Sequence, residues 1–347
     1  MLSATTVMQN APWITQHRPR ELWDRTCAAN LLLAVVFAIV AMTAFATISA
    51  TAQAQTLLDT LTTEGVRFTE KVTVALPVPT LTADGFSRAS EQETKELRKR
   101  LSGNDDWTRF TRDSAVAPVT IKLEYVTDAD GERIGHKIYS AFVVHAKLDS
   151  LSDKDLMQQI FGKPETNEAT GMKITELSEA DLKAAGLSAE LLAQISKQNA
   201  AVTSSDQVVA DATQADGEQH AKTNYSQVEF TLLDKIELKG VLQIERSSTP
   251  TSTTIAWILD PQFSSNEKLR GTWKKITDAG EPVPYEGWGG YMNVTRISES
   301  PEMLLIESRT VLHELPGWFS GSNFVRSKMP VAIQEGARNM RRKLKAR

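Results

Sequence analysis

Alternation of apolar and polar positions marks Val119 to Leu148 and again Ser226 to Leu315, and a long helical spacing closes the chain. Val119, Ile121, Leu123 and Tyr125 take one parity and Thr120, Lys122 and Glu124 the other, the period of a half-buried strand. Asp128-Ala-Asp-Gly131 is a turn signal, and Ile134 to Leu148, centred on Phe142-Val-Val144, completes a hairpin. The period then changes. Ser152-Asp-Lys-Asp155 and Ser178-Glu-Ala-Asp181 are capping-box patterns, predicting one helix that stops at Gly162 and two short helices ending near Gln198. Residues 200–225, rich in Ala, Ser, Thr, Asp and Gln, read as a long mobile loop. Strands resume at Ser226 and run through 236–244, with Gly240 as an expected bulge, then 255–259, 271–276, 287–297 and 303–315. Upstream, Val66 to Val78 is strand-like and broken by prolines, and Glu91 to Leu101 is a charged helix ending at Gly103.

The last segment carries Phe324 or Val325, Met329, Ala332, Ile333, Gly336, Met340 and Leu344 on one helical stripe, with most of the arginines and lysines on the other side. Pro330 lies inside the pattern, so it either kinks this helix or opens its main part, leaving Trp318–Phe324 as the corner that positions it. Helix N-capping falls to Ser322 or Asn323.

The N-terminus has a different character. Arg18, Arg20 and Arg25 precede the apolar run Leu31–Ile48, and Ala52-Gln53-Ala54 offers a small-residue cleavage pattern, the order of a secretory signal peptide. Left uncleaved, the same run is long enough to anchor the chain in a bilayer. Removal of residues 1–54 leaves 36 Lys and Arg against 41 Asp and Glu, and takes away Cys27, the only cysteine. An exported chain without cysteines has no disulfide and relies on its core, which fits a bacterial periplasm or cell envelope. The net negative charge argues against nucleic acid as a partner.

Hairpin, two or three short helices, meander and one long C-terminal helix form an α+β order that resembles the START-like, helix-grip superfamily of polyketide cyclases and lipid-transfer proteins. The resemblance rests on the strand Met303-Leu-Leu-Ile-Glu-Ser-Arg-Thr-Val-Leu-His-Glu, the turn Pro316-Gly-Trp-Phe and the helix through Met340. It implies a curved antiparallel sheet gripping the C-terminal helix around an apolar cavity, over residues 111–347, with 55–110 as an N-terminal extension. On that reading Phe142, Trp257, Trp273, Trp288, Tyr291, Trp318, Met329 and Ile333 are the candidate ligand-binding residues. Gly287-Trp-Gly-Gly-Tyr291 reads either as a flexible gate or as a strand start whose glycines answer backbone geometry.

Glu307, Arg309 and His313 share one strand parity beside Glu314, a pattern open to acid–base work but equally that of a charged outer face. Arg338, Arg341, Arg342 and Lys343 form a basic tail that could meet an anionic membrane surface or simply cap a helix C-terminus. The histidines beyond the leader, His136, His145, His220 and His313, have no metal-ligand spacing, and there is no P-loop, complete dinucleotide motif or nucleophile elbow. No catalytic residue, metal or cofactor is therefore assigned. The expected function is an exported, non-enzymatic protein that binds a hydrophobic small molecule or lipid. The alternatives are a cyclase- or hydrolase-like enzyme on the same fold, and a structural or interaction protein of the envelope with a filled interior.

Overall fold

The computed structural model describes residues 56–82, 85–152, 173–193, 195–196, 220–277, 280–297, 303–319 and 323–345. The leader, residues 153–162 of the helix expected to open at Ser152, and most of the expected loop lie outside the described residues. The elements in chain order are α1 (Leu57–Thr63), β1 (Val66–Arg67), β2 (Thr73–Val74), α2 (Glu91–Ser102), α3 (Trp107–Phe110), β3 (Thr120–Thr127), β4 (Arg133–His145), β5 (Lys173–Glu176), α4 (Glu179–Ala184), β6 (His220–Leu232), β7 (Ile236–Ser248), β8 (Ser252–Leu259), β9 (Thr272–Lys275), β10 (Val283–Pro284), β11 (Trp288–Arg296), β12 (Met303–His313) and α5 (Phe324–Lys345).

The protein is α+β, with a ten-stranded antiparallel sheet and a C-terminal helix. The sheet runs β3-β4-β12-β11-β8-β7-β6-β5, so the first long hairpin lies beside the last. Strand β7 is shared: Ile236–Lys239 pair with β9, and Leu242–Ser248 pair with β8. Gly240 stands at that handover, in unbroken register with Val228 of β6, and makes no bulge. A Cβ there would fall 2.5 Å from Leu259 Cδ1, so the close approach of β8 explains this glycine.

Two expectations change at the strand level. Residues 220–225 belong to β6, where Tyr225 is buried, and β5, unseen in the sequence pattern, extends the sheet beyond β6. Helix α5 begins at Phe324, six residues before Pro330, and Ser327 N–H donates to Asn323 O at 2.9 Å in its first turn. Proline at the seventh position forfeits one ladder bond, which the packed apolar face outweighs.

Local rules do explain the short helices. Thr56 with Asp59, Ser90 with Glu93 and Ser178 with Asp181 each form a reciprocal capping box, satisfying N–H groups that a helix leaves orphaned. Gly103 ends α2 at φ 64, a region that costs a side chain energy.

Both faces of the sheet are covered. One face carries Phe142, Val144, Ile244, Trp257, Met292, Leu304 and Ile306, in one cluster with Val325, Met329, Ile333, Met340 and Leu344 of α5. The opposite face is covered by residues from 56–82 and 85–118. Leu57, Leu61, Val66 and Phe68 pack on Ala256, Tyr291 and Val311, while Leu81, Phe86, Leu101 and Phe110 pack on Tyr139, Val143 and Leu305. The segment expected as an extension is thus a third layer. Among the described residues, no helix is long and apolar enough to cross a membrane.

Candidate functional site

The α5 side of the sheet gathers seven of the eight candidate residues. Phe142, Trp257, Trp288, Trp318, Met329 and Ile333 belong to one buried cluster, with half-buried Trp273 packed against it. Tyr291 does not join them. It pairs with Arg309 across β11 and β12, faces the N-terminal layer, and donates its hydroxyl to Pro77 O at 2.6 Å. Strand alternation places Trp288 and Tyr291, an odd number of positions apart, on opposite faces.

One end of the cluster is aromatic. Trp318 lies 5.2 Å from Tyr285 and 5.4 Å from Trp273, and Phe319 stacks on Phe324 at 5.2 Å, joining the corner to the first residue of α5. Trp288 meets Phe230 at 4.9 Å. Phe230 alternates with Val228 and Leu232 in the sequence, as one face of a strand does, whereas Tyr285 has no mark there beyond being aromatic. The Nε1–H groups of Trp257, Trp273 and Trp318 are buried with no acceptor among the described residues. The Tyr285 hydroxyl, by contrast, lies 3.0 Å from both Gly287 O and His313 O, and burial holds its pKa well above the ordinary value.

The same face carries a polar band. Ser140, Ser308, Thr310, Asn224 and Ser226 are all buried, at positions sharing parity with the apolar residues around them. Near the start of β4, His136 Nε2 lies 2.5 Å from Glu314, which also accepts from Arg133 at 2.9 Å.

The glycine-rich start of β11 is a place of close approach. A Cβ on Gly287 would come 2.2 Å from His313 Cβ, and one on Gly290 would come 2.5 Å from Arg309 O and 2.7 Å from Trp257 Cζ2. The absent side chains let neighbouring strands and rings pack there.

The charged row on β12 is not a solvated outer face. Glu307 is fully buried and accepts from Thr80 N–H and Oγ1–H at 2.7 Å each and from Arg309 at 3.0 Å. His313 is buried between Phe68, at 5.0 Å, and Tyr285, at 6.4 Å, and burial lowers its pKa. These three residues occupy the face opposite α5, sealed by the N-terminal layer. Among the described residues, no group of three or more His, Cys, Asp or Glu could hold a metal ion.

The basic tail also divides. Arg338 and Arg342 reach Glu335 at 3.3 and 3.7 Å on the exposed side of α5. Arg341 does not belong with them. It is 7% exposed and donates to Val143 O at 2.8 Å, Ala117 O at 2.6 Å and Pro118 O at 3.1 Å. Its donors are committed to backbone carbonyls, unlike those of its exposed neighbours.

No protein-family model matches this chain, and no curated protein matches it.

Proposed function

We propose that this is an exported, non-enzymatic binding protein for a largely apolar molecule carrying at least one oxygen acceptor, held between the sheet and α5 in the helix-grip manner. The observation that carries the reading is the trio of buried indole N–H groups without acceptors, on Trp257, Trp273 and Trp318, within one aromatic cluster. Leaving a buried donor unpaired costs about 1–3 kcal/mol, so a ligand oxygen that reaches even one of them recovers that cost. Apolar burial would add ~25 cal/mol for each Å² removed from water, before ordering costs.

The element order of hairpin, short helices, meander and C-terminal helix supports the grip, as does the continuous cluster joining α5 to strands from β4 to β6. The enzyme reading loses Glu307, Arg309 and His313, which lie on the other face under residues of the N-terminal layer, and would have to rest on the buried His136–Glu314 pair near the start of β4. Export follows from the leader pattern ahead of Gln55.

Native mass spectrometry of protein purified without detergent, joined to tryptophan fluorescence titration with extracted lipids, tests the reading. A co-purifying apolar ligand that shifts the emission, and a weaker response in Trp257→Phe, is the expected result. Ligand-free protein with unresponsive fluorescence would leave the packed, structural alternative in its place.

A further inference from the structure

At the C-terminal end of α5, away from the tryptophans, a recess of about 40 Å³ opens between the helix, β4 and the segment leading into β3. Arg112 and Asp113 form one wall, His145 a second, and Arg341 and Lys345 a third. The charges do not balance. Among the described residues lining it, Asp113 is the one carboxylate, and its Oδ2 is taken by Lys345 Nζ at 2.9 Å. Arg112 and Arg341 have no carboxylate within ion-pair reach among the described residues.

Arg341 makes the imbalance costly. Its guanidinium is bonded to three backbone carbonyls and lies 5.5 Å from the Phe142 ring centre. Those partners satisfy its hydrogen-bonding geometry without supplying a negative charge. Burial pushes its pKa down to about 10, with repulsion from Arg112 and Arg338 adding to the fall. The carbonyl end of α5 offers only about half a negative charge, spread over its last turn. A buried cation wants a paired anion, since desolvation without one costs several kcal/mol.

We infer that this recess binds a phosphate-class oxyanion, carried either by a small molecule or by an anionic lipid head group. The volume is that of roughly three water sites, at 10–15 Å³ each, room for one tetrahedral oxyanion. Arg341 supplies a fixed buried charge whose own donors stay on the carbonyls. Arg112 and the 62%-exposed Lys345, at the rim, supply the donors that reach the ligand. Charge-assisted contacts of this kind are worth more than neutral ones.

The test uses the full chain as exported, at constant ionic strength. Inorganic phosphate replaces chloride in calorimetric titration, and vesicles of phosphatidylcholine with and without phosphatidic acid are used in sedimentation. Arg112→Gln is compared with Arg342→Gln, which removes an exposed cation outside the recess. Saturable binding of phosphate, weakened about tenfold or more by Arg112→Gln and less than twofold by Arg342→Gln, assigns a small-molecule source. The same pattern seen only with phosphatidic acid assigns a lipid source. Equal losses in the two variants would mean diffuse charge and would overturn the site, as would no binding in either arm.

Discussion

The fully buried carboxylate of Glu307 accepts both the backbone N–H and the hydroxyl of Thr80, each at 2.7 Å. The two residues lie 227 positions apart. Their contact fastens the N-terminal layer to the middle of β12, aided by Tyr291 on Pro77 O and Asn293 on Leu81 O at 3.2 Å. Replacing the carboxylate by an amide strips a charge from Arg309 and an acceptor from Thr80. Glu307→Gln should therefore lower unfolding free energy by about 3 kcal/mol in urea titration, within the range for breaking a buried pair. Proteolysis within 56–118 should quicken in the same variant. A change below about 0.5 kcal/mol would show that this contact does not hold the layer.

A second anchor of that layer is sensitive to pH. Glu245 on β7, 6% exposed, accepts from Leu57 N–H at 3.1 Å at the start of α1. Burial pushes its carboxyl up to about 7, and Asp59 adds to the rise against the hydrogen bonds from Leu57 and Thr223. A carboxyl whose folded pKa is raised holds its proton more tightly in the folded chain. Stability is then full below the unfolded value of 4.5 and is lost as pH climbs through 7. The loss amounts to roughly 3 kcal/mol at 1.36 kcal/mol for each pH unit between the two values. Glu245→Gln keeps an oxygen for Leu57 and removes the titration. Its stability relative to the parent should rise by about that amount between pH 4.5 and 8.5, followed by denaturant unfolding. Parallel curves for the two proteins would refute the assignment.

How much of this was legible in the sequence depended on which face of an element had to be known. The stripe on α5 was readable because Val325, Met329, Ile333, Met340 and Leu344 recur at helical spacing whatever they pack against. The capping box at Ser178 was readable for the same local reason. The second covered face was not. Strands β11 and β12 are buried on both sides almost throughout, so alternation could not separate inside from outside, and the charges of Glu307 and Arg309 suggested solvent. Thr80, which meets Glu307, and Pro77, which meets Tyr291, lie where prolines break the strand-like pattern of 66–78, with no periodicity to announce their partners. Tyr291 was misplaced among the candidates because its neighbour Trp288, three residues away, does face α5. Arg341 was hidden in a run of similar cations, and only the nearby carbonyls of Val143, Ala117 and Pro118 distinguish it.

Gly290 bears on the proposed ligand site through Trp257. An added methyl would meet Arg309 O at 2.5 Å and the indole ring at 2.7 Å, one rigid and one movable neighbour. Gly290→Ala should cost about 1–3 kcal/mol as an overpacked position, and tryptophan emission should shift as the Trp257 ring yields. Unchanged stability and emission would instead favour a flexible gate at the start of β11, since a loose segment would absorb the methyl.

The division of the basic tail yields the sharpest contrast between neighbours. Arg341 and Arg342 are adjacent in sequence, yet one is 7% exposed on three carbonyls while the other has a side chain 57% exposed, 3.7 Å from Glu335. Removing Arg342 takes away a screened surface pair, worth about 0–1 kcal/mol. Removing Arg341 strands the carbonyls of Val143, Ala117 and Pro118 and opens a hole beneath α5, so Arg341→Ala should cost about 3 kcal/mol or more. Arg341→Lys should recover only part, since an ammonium cannot reproduce the planar spread of donors that reaches three separate oxygens. Thermal and urea unfolding of the three variants decide the matter. Equal, small effects at 341 and 342 would return Arg341 to the solvated tail, and would remove the buried charge on which the oxyanion recess depends.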